Sequence, residues 1–70
     1  KVSFEDKILN VISNNEILQV MVYEPNGVCL VSANPLSESV QIDMSTMGGH
    51  VYVVYVKLKN GKEKTFKLVR

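Results

Sequence analysis

Apolar and polar positions alternate in short runs along this chain, and residues that favour turns separate the runs. β-Branched and aromatic residues gather in segments 2–5, 8–13, 16–24, 28–33, 39–44, 51–59 and 62–70. Between them stand Asn14-Asn15, Pro25-Asn26-Gly27, Asn34-Pro35, Gly48-Gly49 and Asn60-Gly61, all turn-forming combinations. No segment carries a capped 3.6-residue period, so no long helix is expected. Seven short strands spaced by about 8–12 residues predict an all-β domain, a sandwich or a small barrel.

Two Asn-Gly turns allow the register to be argued. Asn60-Gly61 closing a two-residue hairpin would set Tyr55 opposite Phe66 and scatter the apolar residues over both faces. A three-residue loop, Lys59-Asn60-Gly61, with Gly61 left-handed, puts Tyr52, Val54 and Val56 on one face with Phe66 and Leu68. A slip of one residue inverts every side chain, so the apolar match selects the three-residue loop. The same reasoning at Pro25-Asn26-Gly27 pairs Val22 with Leu30, with Leu18 and Val20 continuing that face. Met21, Tyr23, Cys29 and Val31 fall on the other side, to meet solvent, a further strand or a partner. Residues 51–56 are apolar on both parities, which predicts a central strand covered on both faces.

Seventy residues and 7.8 kDa suffice for one domain spanning 1–70. The hydrophobic fraction of 46% and charged fraction of 21% are those of ordinary globular domains and exclude a disordered chain. No apolar run approaches the roughly 20 residues of a membrane-spanning helix. No basic-then-apolar leader opens the sequence, and with Lys1 first the expectation is a fragment or mature form of a longer protein. The net charge of +1 hides an asymmetry. Residues 1–56 set Lys1 and Lys7 against Glu5, Asp6, Glu16, Glu24, Glu38 and Asp43, a balance of −4. Residues 57–70 set Lys57, Lys59, Lys62, Lys64, Lys67 and Arg70 against Glu63, a balance of +5. Such an end attracts an anionic or acidic partner. Alternatively its lysines protect an exposed hairpin from edge-to-edge pairing.

Candidate chemistry is sparse. Cys29 has no second cysteine to pair with, and Cys29 with His50 cannot close a zinc site. Cys29 lies in an apolar strand and is expected to be a small buried hydrophobe. His50 follows two glycines, with no nucleophile or orienting carboxylate near it in sequence, and reads as a turn residue at a strand start. Asp43 and Ser45 end a strand, where their oxygens can accept bonds from turn amides. No calcium loop or phosphate-binding loop is present. The basic hairpin, with Tyr55 and Phe66 among Lys57, Lys59, Lys62 and Lys64, weakly suggests a single-strand nucleic-acid face. No acid–base pair stands out, so a non-enzymatic protein without cofactor or metal is expected.

The order of features from residue 16 onward resembles the C-terminal sorting domain of cargo proteins of the type IX secretion system. The resemblance rests on the strand from Val20 to Glu24 with Pro25-Asn26-Gly27, then Ile42-Asp43-Met44-Ser45. It continues with Val51-Tyr52-Val53-Val54, Asn60-Gly61 and Thr65-Phe66-Lys67-Leu68-Val69. His50 stands where that family usually has a glycine, and the Asn-Pro that often opens the family domain is absent. The resemblance implies an Ig-like sandwich of about seven antiparallel strands at the end of a larger secreted passenger. It implies an address tag recognised by outer-membrane secretion machinery through the terminal strand, here Lys67, Leu68, Val69 and Arg70. It further implies removal by a sortase-like peptidase, possible contact with anionic lipopolysaccharide, no nucleic acid, and a secreted or cell-surface location. The rival reading is a generic Ig-like adhesion or interaction module of an extracellular protein.

Overall fold

A computed structural model describes residues 1–69. Six strands follow one another along the chain: β1 (Val2–Glu5), β2 (Ile8–Tyr23), β3 (Cys29–Ala33), β4 (Ser37–Asp43), β5 (Val51–Leu58) and β6 (Glu63–Val69). Every pairing is antiparallel and all six belong to one sheet. Among the described residues there is no helix.

The sheet is organised by β2, whose sixteen residues run through both halves of the molecule. Segments 8–13 and 16–24 were expected as separate strands, because Asn14-Asn15 is a turn signal. They are one strand. A tight hairpin there needs positive φ, and among the described non-glycine residues only Asp6 and Leu36 adopt it. Asn14 and Asn15 instead form a bulge. Ile12 faces Ser39 and Ile17 faces Ser37, so four residues of β2 span the place of Glu38 alone on β4. The Asn15 amide donates to Ser13 Oγ at 3.2 Å within this bulge.

Shared partners fix the edges of β2. Val20 to Tyr23 pair with both β3 and β5, and Ile8 to Val11 pair with both β1 and β4. Ile17 meets Ser37 of β4 and Leu58 of β5. Hence β3 and β4 lie end to end along one edge, and β1 and β5 lie along the other, with β6 outside β5.

A second bulge sets which side chains face inward. Ile17 pairs with Leu58 but Gln19 pairs with Lys57, which leaves Leu18 as the extra residue. Before it the odd positions Leu9, Val11 and Ile17 are buried; after it the even positions Val20 and Val22 are. Leu18, expected on the Val20–Val22 face, is therefore only half-buried. A similar shift near Leu30 pairs Val22 with Val31 rather than Leu30. Val31, expected on the far side, thus packs against the core, as does Leu30.

The core contains Leu9, Val11, Ile17, Val20, Val22, Ile42, Met44, Tyr52, Val54, Val56 and Leu58, with no other buried polar or charged residue among those described. Tyr52 brings the one buried hydroxyl, and it donates to Gly48 O at 2.6 Å, as a buried polar group must find a partner. Phe4 of β1 stacks at a tilt against Tyr52 of β5, centroids 5.7 Å apart, so the sheet curls far enough for its two halves to touch.

The result among the described residues is one curled antiparallel sheet, a half-barrel of six strands, where seven strands in two layers were expected. The reason lies in β2, which serves both halves and so joins what would otherwise be two sheets. Strand β5 is central, as expected, but it is covered on one face only. Tyr52, Val54, Val56 and Leu58 are buried, whereas Val51, Val53 and Tyr55 on the outer face stay half-exposed.

Both Asn-Gly loops have three residues and use one device. The Glu24 and Leu58 amides donate to Val28 O and Lys62 O, and the Gly27 and Gly61 amides donate back to Glu24 O and Leu58 O. Asn26 Oδ1 and Asn60 Oδ1 accept from the Val28 and Lys62 amides. Gly27 and Gly61 take φ of 94° and 89°, the left-handed region open to glycine. In the second hairpin Tyr52 faces Leu68 and Val54 faces Phe66, which is the register argued from the apolar match.

Candidate functional site

Strand β6 is an edge strand of the sheet, as are β1, β3 and β4, each of which pairs with one neighbour among the described residues. One edge of β6 pairs with β5, and the other has no strand beside it among the described residues. An unpaired edge presents backbone donors and acceptors in the spacing another strand requires.

Three of the four expected recognition residues are described, and they divide between the two faces of this strand. Lys67 lies across from half-exposed Val53, and Val69 across from Val51; both point outward and Val69 is 73% exposed. Leu68 lies across from buried Tyr52 and packs against the core. Arg70 lies outside the described residues. Leu68 thus anchors the strand, while Lys67 and Val69 are presented to solvent.

The outer face continues inward from this edge as a row of half-buried apolar side chains. Met21 pairs with Tyr55, which pairs with Thr65; Tyr23 pairs with Val53, which pairs with Lys67. The Tyr23 hydroxyl reaches Met21 Sδ at 3.2 Å. Cys29, facing Tyr23 from β3, shares this outer row and is exposed, against the expectation that it is buried. Its apolar neighbours in sequence suggested a core strand. The bulge after it turns only Leu30 and Val31 toward the core.

The lysines of the second hairpin do not act as one uniform field. Lys57, Lys59, Lys62, Lys64 and Lys67 are all exposed. Lys59 Nζ stands 3.9 Å from Glu16 Oε2, an exposed pair worth little in stability. Glu63 is engaged by the Tyr55 hydroxyl, which donates to its Oε1. That bond to the carboxylate, followed by loss of solvent and the negative charge of Glu63, holds the Tyr55 phenol above its ordinary value. Nothing in the spacing of Tyr55 and Glu63 announced this contact, because it runs diagonally across the ladder. Tyr55 and Phe66 lie on opposite faces of the β5–β6 ladder, Phe66 being the partner of buried Val54. They therefore do not form one stacking surface.

Elsewhere the expected polar residues take local roles. Asp43 Oδ1 accepts from the Ser45 amide at 2.8 Å, as the strand-end motif predicts. The Ser45 hydroxyl and amide together keep the Asp43 carboxyl below the ordinary carboxylate value. His50 is exposed immediately before β5. Among the described residues no group of three His, Cys, Asp or Glu side chains is placed to hold a metal. No protein-family model matches this chain, and no curated protein matches it significantly.

Proposed function

We propose that this chain is a non-enzymatic address tag, a C-terminal sorting domain that directs a passenger across the outer membrane by type IX secretion. The observation that carries the reading is the ordered set of strand and turn motifs from Val20 to Val69, ending in a basic strand at an open sheet edge. An export signal needs a stable fold with an accessible grip, and this molecule joins an apolar core to an exposed terminal strand. On this reading the two halves of the curled sheet stand for the two layers of an Ig-like sandwich. One half is β1, β4 and the start of β2; the other is β3, β5, β6 and the end of β2. The partners are outer-membrane export machinery and a sortase-like peptidase, and the destination is the cell surface or the medium.

The test is a reporter fused ahead of this chain in a host that possesses the system. Removal of residues 67–70 should abolish export; export at the original level after that removal would refute the reading.

A second reading is a surface interaction module that binds through the outer face. Half-exposed Met21, Tyr23, Val53 and Tyr55 favour it, because an apolar row of this kind suits a protein contact. Purified export components distinguish the two, since only the first reading expects them to bind.

A further inference from the structure

The two ladders on one edge of β2 leave a gap. The β1–β2 pairing stops at Val11, with the Ile12 amide still donating to Lys1 O. The β2–β5 pairing resumes at Ile17, with the Lys59 amide donating to Glu16 O. Between them the bulged residues 13–16 have no ladder partner on either side. A cleft of about 410 Å³ opens here, bordered by Ser13, Asn14 and Asn15 of the bulge and by Lys1, Lys62 and Lys64. Ile12 and Leu58 give it an apolar flank.

We infer that this cleft binds a small tetrahedral oxyanion, the phosphate or sulfate group of a free anion or of a lipid headgroup. Three features converge on that chemistry. Three lysines border the cleft and no carboxylate does. Of the acidic residues adjoining the bulge and these lysines in sequence, Glu16 stands 3.9 Å from Lys59 and Glu63 accepts from the Tyr55 hydroxyl. Ser13, Asn14 and Asn15 line the same cleft, and hydroxyl and amide groups are short-range donors to a phosphate oxygen. The hairpin register makes the cluster. Lys64 lies across from buried Val56, so it projects on the inner side of the ladder toward the bulge, whereas Lys57 and Lys67 project outward. Lys62 follows from the loop, where Asn60 fixes its amide. The inference stands independently of the export reading.

Titration of the chain with inorganic phosphate, followed amide by amide in NMR spectra at low ionic strength, tests it. Shifts should concentrate at residues 13–15, 62 and 64. The variant Lys62→Gln with Lys64→Gln should bind about tenfold more weakly, since two of three cations are gone. Lys67→Gln, on the other face, should bind as the parent does. All three positions are exposed, and unperturbed core resonances verify that each variant is folded. Co-sedimentation with phosphatidylcholine vesicles, with and without phosphatidylglycerol, separates the sources. Retention only on the anionic vesicles, lost in the double variant, assigns a lipid headgroup; phosphate binding without vesicle retention assigns a free anion. Equal phosphate affinity of parent and double variant, or shifts spread alike over Lys57, Lys67 and the cleft, would overturn the site.

Discussion

Individual residues hold the turns of this molecule, and their roles can be measured one at a time. Asp43 is held below the ordinary value of 3.8 by the Ser45 hydroxyl first and the Ser45 amide second, with Lys7 adding its charge. A carboxyl depressed in the folded state stabilises the fold above its unfolded value, and that contribution disappears as the pH falls through the folded value. An NMR titration of the Asp43 carboxyl should therefore give a midpoint below 3.8, and Ser45→Ala should raise it; an unmoved midpoint would contradict the assignment. Tyr52 ties the glycine loop to the core through its bonds to Gly48 O and Gly49 O. Tyr52→Phe keeps the ring and removes those bonds, so denaturant unfolding should show a loss of about 1 kcal/mol. Amide exchange should quicken in residues 48–50. At this scale the sequence was most readable where one residue type has one use. Asn-Gly before a glycine φ near 90° was such a case, at both loops. Cys29 was not, because its apolar neighbours suggested burial while the hairpin register put it on the outer side with Tyr23, where it lies exposed.

The decisive element is β2. Its two bulges convert a simple alternation into a strand that buries Leu9, Val11 and Ile17 in one half and Val20 and Val22 in the other. Alternation alone placed Leu18 inward with Val20 and Val22. The bulge reverses this locally, leaving Ile17 fully buried and Leu18 half-exposed. Ile17→Ala should then cost roughly 2–5 kcal/mol, as for a buried aliphatic truncation. Leu18→Ala should cost clearly less in the same unfolding experiment. Equal costs, or the opposite order, would show an unbulged strand. The register of the second hairpin was legible because an apolar match discriminates between two discrete alternatives, whereas in the first the bulge near Leu30 moved the partner of Val22 from Leu30 to Val31. The merging of two strands at Asn14-Asn15 was not legible, since the asparagines allow a turn and only the ladders that end at Ile12 and resume at Ile17 carry the strand through. The turn at Asp6-Lys7, where Asp6 takes φ of 58°, carries no glycine or proline, yet the break between segments 2–5 and 8–13 placed it.

At the scale of the whole molecule, the all-β class followed from the spacing of apolar runs, while the arrangement into one curled sheet did not. Spacing counts strands; it does not say whether a long strand will be shared by two halves. The shared strand leaves β6 at the rim, with Leu68 packed inward and Lys67 and Val69 facing out. The sequence resemblance pointed to these residues together, and the fold separates the one that holds the strand from the two that face solvent. That separation gives the most direct measurement of the central claim, the export of a folded reporter fusion carrying Lys67→Ser and Val69→Ser. Both side chains are exposed, so the domain should keep its circular dichroism spectrum and its unfolding midpoint within a few degrees, since exposed substitutions change stability by only about 0.5 kcal/mol. Recognition through the rim strand predicts that export of this folded variant collapses; export equal to that of the parent fusion would contradict it.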